Sequence, residues 1–218
     1  ISNAIAAFVA HEWRSDTAPF DGHLRGETLL QGQERAGLEV FYGDAGCASC
    51  HAGAFLTDHK FHAMGAPQIG PGKSATFEDH HRDDGRFRVT GLEADRYAFR
   101  TPSLRNIASS APYGHAGAHA ELEDFIRAHA DPAKGLMEYD RTQAVLPDYD
   151  STDFKVMDDP EQVRAIAEAV SHAPVALEES EIAALVAFLQ TMTDPVSILG
   201  RLGVPTSVPS GLTVPNLD

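Results

Sequence analysis

Only two of the 218 residues are cysteine, and they stand three positions apart, at Cys47 and Cys50. That scarcity excludes a disulfide framework and any zinc site built from two separated cysteine pairs. Long apolar runs are also missing: no stretch approaches the ~18 residues that a membrane-spanning helix needs. Positive charge is scarce too, with 17 Lys and Arg against 32 Asp and Glu, a net charge of −15 with the histidines neutral. Nucleic acid and anionic membrane surfaces are therefore poor partners. A secretory leader is not visible, and the chain opens inside a helical pattern, "ISNAIAAFVAHEW". The expectation is a processed or truncated product whose upstream part is missing. What is plentiful is apolar residue content, 43%, enough for one substantial core or two small ones.

The stretch "GCASCHAG" holds Cys47, Cys50 and His51 as C-x-x-C-H. Two thiols can add across the vinyl groups of a haem, and the following imidazole can then ligate its iron. A redox dithiol needs no adjacent His, and half a zinc site needs a second ligand pair. The motif therefore predicts one covalent haem c. In bacteria such attachment takes place outside the cytoplasm, which predicts a periplasmic protein. The acidity either draws a basic electron carrier through opposite fields or simply aids solubility.

Periodicity predicts a mostly helical, all-α domain with long haem-wrapping loops. A first helix is expected from Asn3 to Trp13 with Ile5, Phe8, Val9 and Trp13 on one face. A second is expected from Gln31 to Tyr42, ending at Gly43 and placing Ala36, Leu38, Val40 and Phe41 near the haem motif. Residues 52–120 show little periodicity, a length that makes sense if the loop wraps a cofactor. Leu122, Phe125, Ile126 and His129 then stand at i, i+3, i+4 and i+7, on a helix stopped by Pro132. A helix from Pro160 capped by Asp159, and one carrying Ile182, Leu185, Val186 and Leu189 inward, follow. The Pro-punctuated tail is expected to run extended over the surface.

One C-x-x-C-H fills one axial face of an iron. His129 is the leading candidate for the other, because it extends an apolar stripe and a buried imidazole needs a hydrogen-bond partner or a metal. Met64 could serve as a sulfur ligand but follows His51 by only 13 residues. Met137 and Met157 are expected to fill core gaps. His115 and His119 are plausible near a haem edge. His80 and His81, beside Asp79, Asp83 and Asp84, read as a hydrated acidic loop rather than a metal cluster. One of Arg100 and Arg105 is expected on a haem propionate, since a guanidinium matches a carboxylate with two donors.

Several blocks taken together, "TAPFDGHLRGE", "CASCHAGAFLTD", "FHAMGAPQIGPG", "DDGRFRVTG", "DRYAFRTPSLRNIASSAPYGHAGAHAELEDFI" and "EIAALVAFLQTMTDP", resemble the C-terminal half of bacterial dihaem cytochrome c peroxidases and MauG-type enzymes. The resemblance implies a cytochrome c-like haem domain, residues 1–218, that takes electrons from a small carrier (a cytochrome c or a cupredoxin). It implies that hydrogen peroxide is reduced at a second haem in an N-terminal domain absent from this chain. MauG-like oxidation of Trp or Tyr side chains on a protein partner, and plain electron transfer, are the alternatives. The resemblance places His129 where the peroxidases carry Met and MauG carries Tyr. It also implies a calcium ion held by the backbone carbonyls of Ser110 and Pro112.

Overall fold

The structure, a computed structural model, describes residues 1–70, 80–146 and 153–214. In chain order its helices are α1 (Ser2–Glu12), α2 (Pro19–Leu24), α3 (Gly32–Tyr42), α4 (Phe87–Thr90), α5 (Leu122–Ala130), α6 (Pro132–Met137), α7 (Pro160–Glu168), α8 (Glu179–Gln190) and α9 (Pro195–Leu199). A two-residue antiparallel ribbon joins β1 (Phe61–His62) to β2 (Phe99–Arg100). The rest is loop and single turns. The domain is all-α, and the described residues of the stretch 52–120 carry only α4, the two-residue strands and single turns.

Helices α3 and α8 form the frame. Gly37 makes their close crossing possible: a Cβ there would run into the carbonyl of Ala184 and the Cβ of Phe188. It is Gly37, not the exposed Ala36, that turns inward with Phe41. Phe188 is fully buried and packs edge-on against Phe20, with centroids 5.2 Å apart, and tilted against Phe41 at the same distance. Leu185, Leu189 and Met192 extend this core toward Leu104, Tyr113 and Leu122. A second, smaller core joins Leu136 of α6 to Val163 and Ile166 of α7, with Tyr97 and Val156. The composition allowed one core or two, and the chain builds two of unequal size.

The helix boundaries follow local chemistry. Asp159 caps α7, accepting from the backbone N–H groups of Glu161 and Gln162. Pro132 ends α5 as expected, yet it also opens α6, because a proline at the first helical position loses no hydrogen bond. Sequence periodicity missed α6 and α9, each too short to show a repeat. Met137 at the end of α6 is exposed rather than filling a core gap; Met157 packs on the smaller core.

Helix α1 forms where expected, but its face of Ile5, Phe8, Val9 and Trp13 lies open to solvent. Periodicity reveals that a helix has an apolar face, not whether anything covers it. The helix is fastened at its end instead. The buried Glu12 carboxylate accepts from the N–H groups of Leu202 and Gly203, and Ser197 donates to the carbonyl of Trp13. Beside it, fully buried Asp194 accepts from the N–H groups of Asp16, Thr17, Val196 and Ser197 and from the Thr17 hydroxyl. The tail lies largely exposed as expected, but it bends rather than running extended, with the Gly211 N–H closing a turn on the Val208 carbonyl; residues 215–218 lie outside the described ones.

Two outcomes follow for stability. Gly37→Ala should cost at least about 2 kcal/mol in urea unfolding, since the added methyl meets rigid backbone; an unchanged midpoint would contradict the close crossing. Burial pushes the Asp194 carboxyl up, but the donors from Thr17, Ser197 and Asp16 outweigh it and hold the group at about 2, below its ordinary 3.8. Its contribution, about 2 kcal/mol, is complete above pH 3.8 and is lost as the pH falls through about 2. Acid unfolding of Asp194→Asn, compared with the parent, checks this: the parent should lose its advantage only over that range.

Candidate haem-binding site

The thiols and imidazole of the motif are brought together by one turn. Gly46, left-handed at φ 65°, redirects the chain out of α3. The N–H groups of Cys50 and His51 then close back on the carbonyl of Cys47. Residues at i, i+3 and i+4 of such a turn share a face, so Cys47, Cys50 and His51 line the same cavity. Both cysteines are free thiols, and burial pushes that of Cys47 up, keeping it protonated.

His51 is oriented by the chain just after it. Its Nδ1 lies 3.3 Å from the carbonyl oxygen of Leu56, which can only accept, so Nδ1 carries the proton. Nε2 is left with its lone pair. Leu56 is buried and sits at φ 52°, a conformation that costs a side-chain-bearing residue roughly 1–2 kcal/mol. Burial lowers the pKa of His51, so the ring is neutral near pH 7.

Helix α5 supplies the opposite wall. Leu122, Phe125, Ile126 and His129, the predicted stripe, all face the cavity. Among the described residues no hydrogen bond reaches the His129 ring. Burial, followed by the neighbouring His51, His172 and His119, pushes its pKa down to about 4. It is thus neutral, half-buried against the cavity and without a hydrogen-bond partner among the described residues. Its centroid lies 6.4 Å from that of His51, with the planes at 54°.

That distance fits a metal shared by the two rings. An imidazole nitrogen binds a first-row transition metal at about 2.0–2.1 Å, and the donor atom is about 1.1 Å from its ring centre, so two rings on opposite sides of one metal have centroids roughly 6.3 Å apart. Packed rings span this separation too, from Phe125 and His129 at 5.2 Å to Tyr42 and Phe188 at 6.4 Å, so the distance takes its meaning from the motif beside it. The remaining walls are largely apolar, from Phe41, Leu104, Leu185 and Leu189 to the Met64–Pro67 loop, around a volume of about 490 Å³. That falls in the range of cofactor and small-molecule sites. The donor set, the apolar walls and the unpartnered imidazole all fit a covalently held haem.

The other sequence candidates sort clearly. Met64, His115 and His119 line the cavity, but His119 Nδ1 is paired with Gln143 Oε1 at 3.0 Å and His115 Nε2 with Asp83 at 3.1 Å. Arg100 lies in the wall. Arg105 does not: its two Nη atoms grip the Asp21 carboxylate at 2.9 Å and its Nε donates to the carbonyl of Ala54. Ser110 and Pro112 sit exposed at the cavity rim. The His80–Asp84 loop is not a hydrated acidic cluster, because Asp84 is buried and paired with Arg82 and Arg96; Asp79 lies outside the described residues. Sequence reading missed the Leu56 carbonyl, Phe99, His62 and His172. Cys50, His62 and Asp58 lie close enough to share a metal, but a thioether at Cys50 would make them part of the haem wall. No residue-type signal announces a backbone carbonyl.

The comparisons with known proteins can be set beside this geometry. No family model matches the chain. Cytochrome c551 peroxidase of Pseudomonas aeruginosa is 38% identical over 124 residues, 56% of this chain and 34% of that protein. Methylamine utilization protein MauG of Methylorubrum extorquens is 36% identical over 110 residues, 50% of this chain and 28% of that one. The chain is homologous, over part of its length, to the cytochrome c peroxidases and MauG. Its fold agrees: a MauG-like protein associated with microbial copper homeostasis superposes with a TM-score of 0.57 at 28% identity, over 84% of this chain and 54% of that one. The dihaem peroxidase BthA from Burkholderia thailandensis superposes at 0.58 and 23% identity, over 91% and 50%. The matched stretch spans about a third of the length of these curated relatives, and the chain about half of the solved structures.

The two arginines should separate in experiment. Arg105→Gln breaks a largely buried pair and should cost about 2 kcal/mol of stability while leaving the reduction potential of the haem-loaded protein unchanged. Arg100→Gln should do the reverse, lowering the potential by removing a cation at little cost to stability. Redox titration with urea unfolding reads both, and a potential that moves in Arg105→Gln alone would exchange their roles.

Proposed function

We propose that residues 1–218 form the C-terminal, electron-transfer haem domain of a periplasmic dihaem peroxidase. The observation that carries this is the neutral, unpartnered His129 standing 6.4 Å from His51 across an apolar cavity walled by both cysteines. Cys47 and Cys50 would hold one haem c through thioethers, with His51 and His129 as axial ligands. When bound, the haem supplies a one-electron ferric–ferrous couple. His51, steered by the Leu56 carbonyl through Nδ1, presents Nε2 to the iron; a hydrogen bond of this kind fixes the ring and raises its basicity. His129 is held by the helix that also carries Leu122, Phe125 and Ile126. The apolar walls would disfavour water beside the haem, and with both imidazoles bound this haem would serve electron transfer rather than peroxide. Arg100 would pair with a propionate at the rim. Two imidazoles give a lower potential than an imidazole and a thioether.

Hydrogen peroxide would be reduced at a second haem in an N-terminal domain, with electrons from a small carrier protein entering through this one. Calcium at the carbonyls of Ser110 and Pro112, exposed at the rim, would need further oxygen ligands from that other domain. The names of the relatives support the peroxidase reading, and no helix among the described residues is long and apolar enough to cross a membrane.

The ferric protein should show a low-spin, bis-nitrogen electron paramagnetic resonance signal. His129→Ala should keep its covalent haem and become high-spin, while His129→Met should raise the potential. A low-spin spectrum unchanged in His129→Ala would reassign the ligand to another cavity residue, such as Met64 or His119.

A further inference from the structure

The His129 ring faces the cavity without a hydrogen-bond partner among the described residues, so its place is set by the backbone of α5. The end of that helix is held at three points. Ala128, just before His129, lies against Gly135 of α6: a Cβ added at Gly135 would stand 2.7 Å from the Ala128 Cα and 2.8 Å from its carbonyl oxygen. Just after His129, the Ala130 carbonyl accepts from the Val175 N–H at 2.8 Å. Two residues further on, the Pro132 carbonyl abuts Gly65 of the loop after β1, so closely that a Cβ there would overlap its oxygen. All three contacts involve backbone, which cannot rotate aside as a flexible side chain can.

Helix α6 is not free to back away. Asp131 caps it, accepting from the Lys134 N–H, and the Gly135 N–H donates to the Asp131 carbonyl. Leu136, next to Gly135, is fully buried and packs in the smaller core with Val163 and Ile166 of α7. That core therefore backs the helix that bears on α5. Non-bonded carbons sit about 3.5–4.0 Å apart, so a methyl at Gly135 must displace Ala128 or α6 by roughly 0.8 Å. A metal–ligand distance tolerates only about 0.2 Å. The first displacement is more than the second can absorb, and Ala128 is bonded directly to His129.

We propose that Gly135 is a positioning residue: together with the ties at Ala130 and Pro132, it fixes α5 so that His129 stays on the iron in both oxidation states and small ligands are kept off this haem. The inference rests on the reading of His129 as the second axial ligand. Phe125, whose ring centroid lies 5.2 Å from that of His129, restricts rotation of the imidazole about its own side-chain bonds. Release of His129 then requires α5 itself to move. An incoming ligand must wait for that movement, so its limiting rate of entry measures the hold on the helix.

The test is carbon monoxide binding to the haem-loaded, dithionite-reduced chain, followed by stopped-flow absorbance. In the parent the rate should level off as carbon monoxide is raised, because His129 release limits it. Gly135→Ala should raise that limiting rate about tenfold or more, since overpacking strain is relieved as His129 leaves, and its ferric form should gain a high-spin signal. Arg105→Gln, destabilised away from α5, should stay within about twofold of the parent. Equal acceleration in both variants would mean general loosening and overturn the proposal, as would an unchanged rate in Gly135→Ala. Val175→Pro removes the N–H that ties Ala130 and should raise the rate about threefold or more. It decides the matter if Gly135→Ala yields no haem-loaded protein, and an unchanged rate there overturns the proposal. A parent that is already high-spin would instead mark failure of the axial-ligand reading, before any variant is compared.

Discussion

Two neutral imidazoles facing one apolar gap are the constraint on which this architecture turns. The His129 ring is left without a hydrogen-bond partner by every described side chain around it and is turned into the gap. A metal in the gap would take its lone pair. A second imidazole at the right distance, fixed by a backbone carbonyl, supplies the other half of that coordination. The apolar walls around the pair make no sense as an empty space and good sense as the surface of a macrocycle.

The remainder of the fold can be understood as support for this gap. Two helices that nearly touch at Gly37 give a rigid back, and from them Phe41, Leu185 and Leu189 reach the cavity. The loops that close the other sides have little regular structure and turn Met64, Pro67, Phe99 and Pro102 to the gap. Arg105, Asp21 and Ala54 bind the entry segment to the loop following the haem motif, across 84 residues of sequence. Those contacts hold the walls in place without touching the gap.

Much of this was legible in the residue order. The C-x-x-C-H turn, the stripe ending in His129 and the caps at Asp159 and Gly43 are local patterns, and local patterns survive folding. What was not legible depended on three-dimensional pairing. Nothing in the sequence distinguishes Arg105, which meets Asp21, from Arg100, which meets the cavity. Nothing announces that the apolar face of α1 stays uncovered, or that a buried leucine will turn left-handed to aim its carbonyl. Short helices such as α6 and α9 carry too few residues to display a period.

Leu56 carries a consequence of its own. Its backbone is held at an angle that glycine would adopt without penalty, and its buried side chain is what pins it there. The chain therefore trades torsional comfort for directional control of the His51 ring. Evolution or design that relaxed this residue would gain a calmer loop and surrender the fixed heading of the imidazole. Stability and electronic tuning are coupled at a single peptide unit, and they pull in opposite directions.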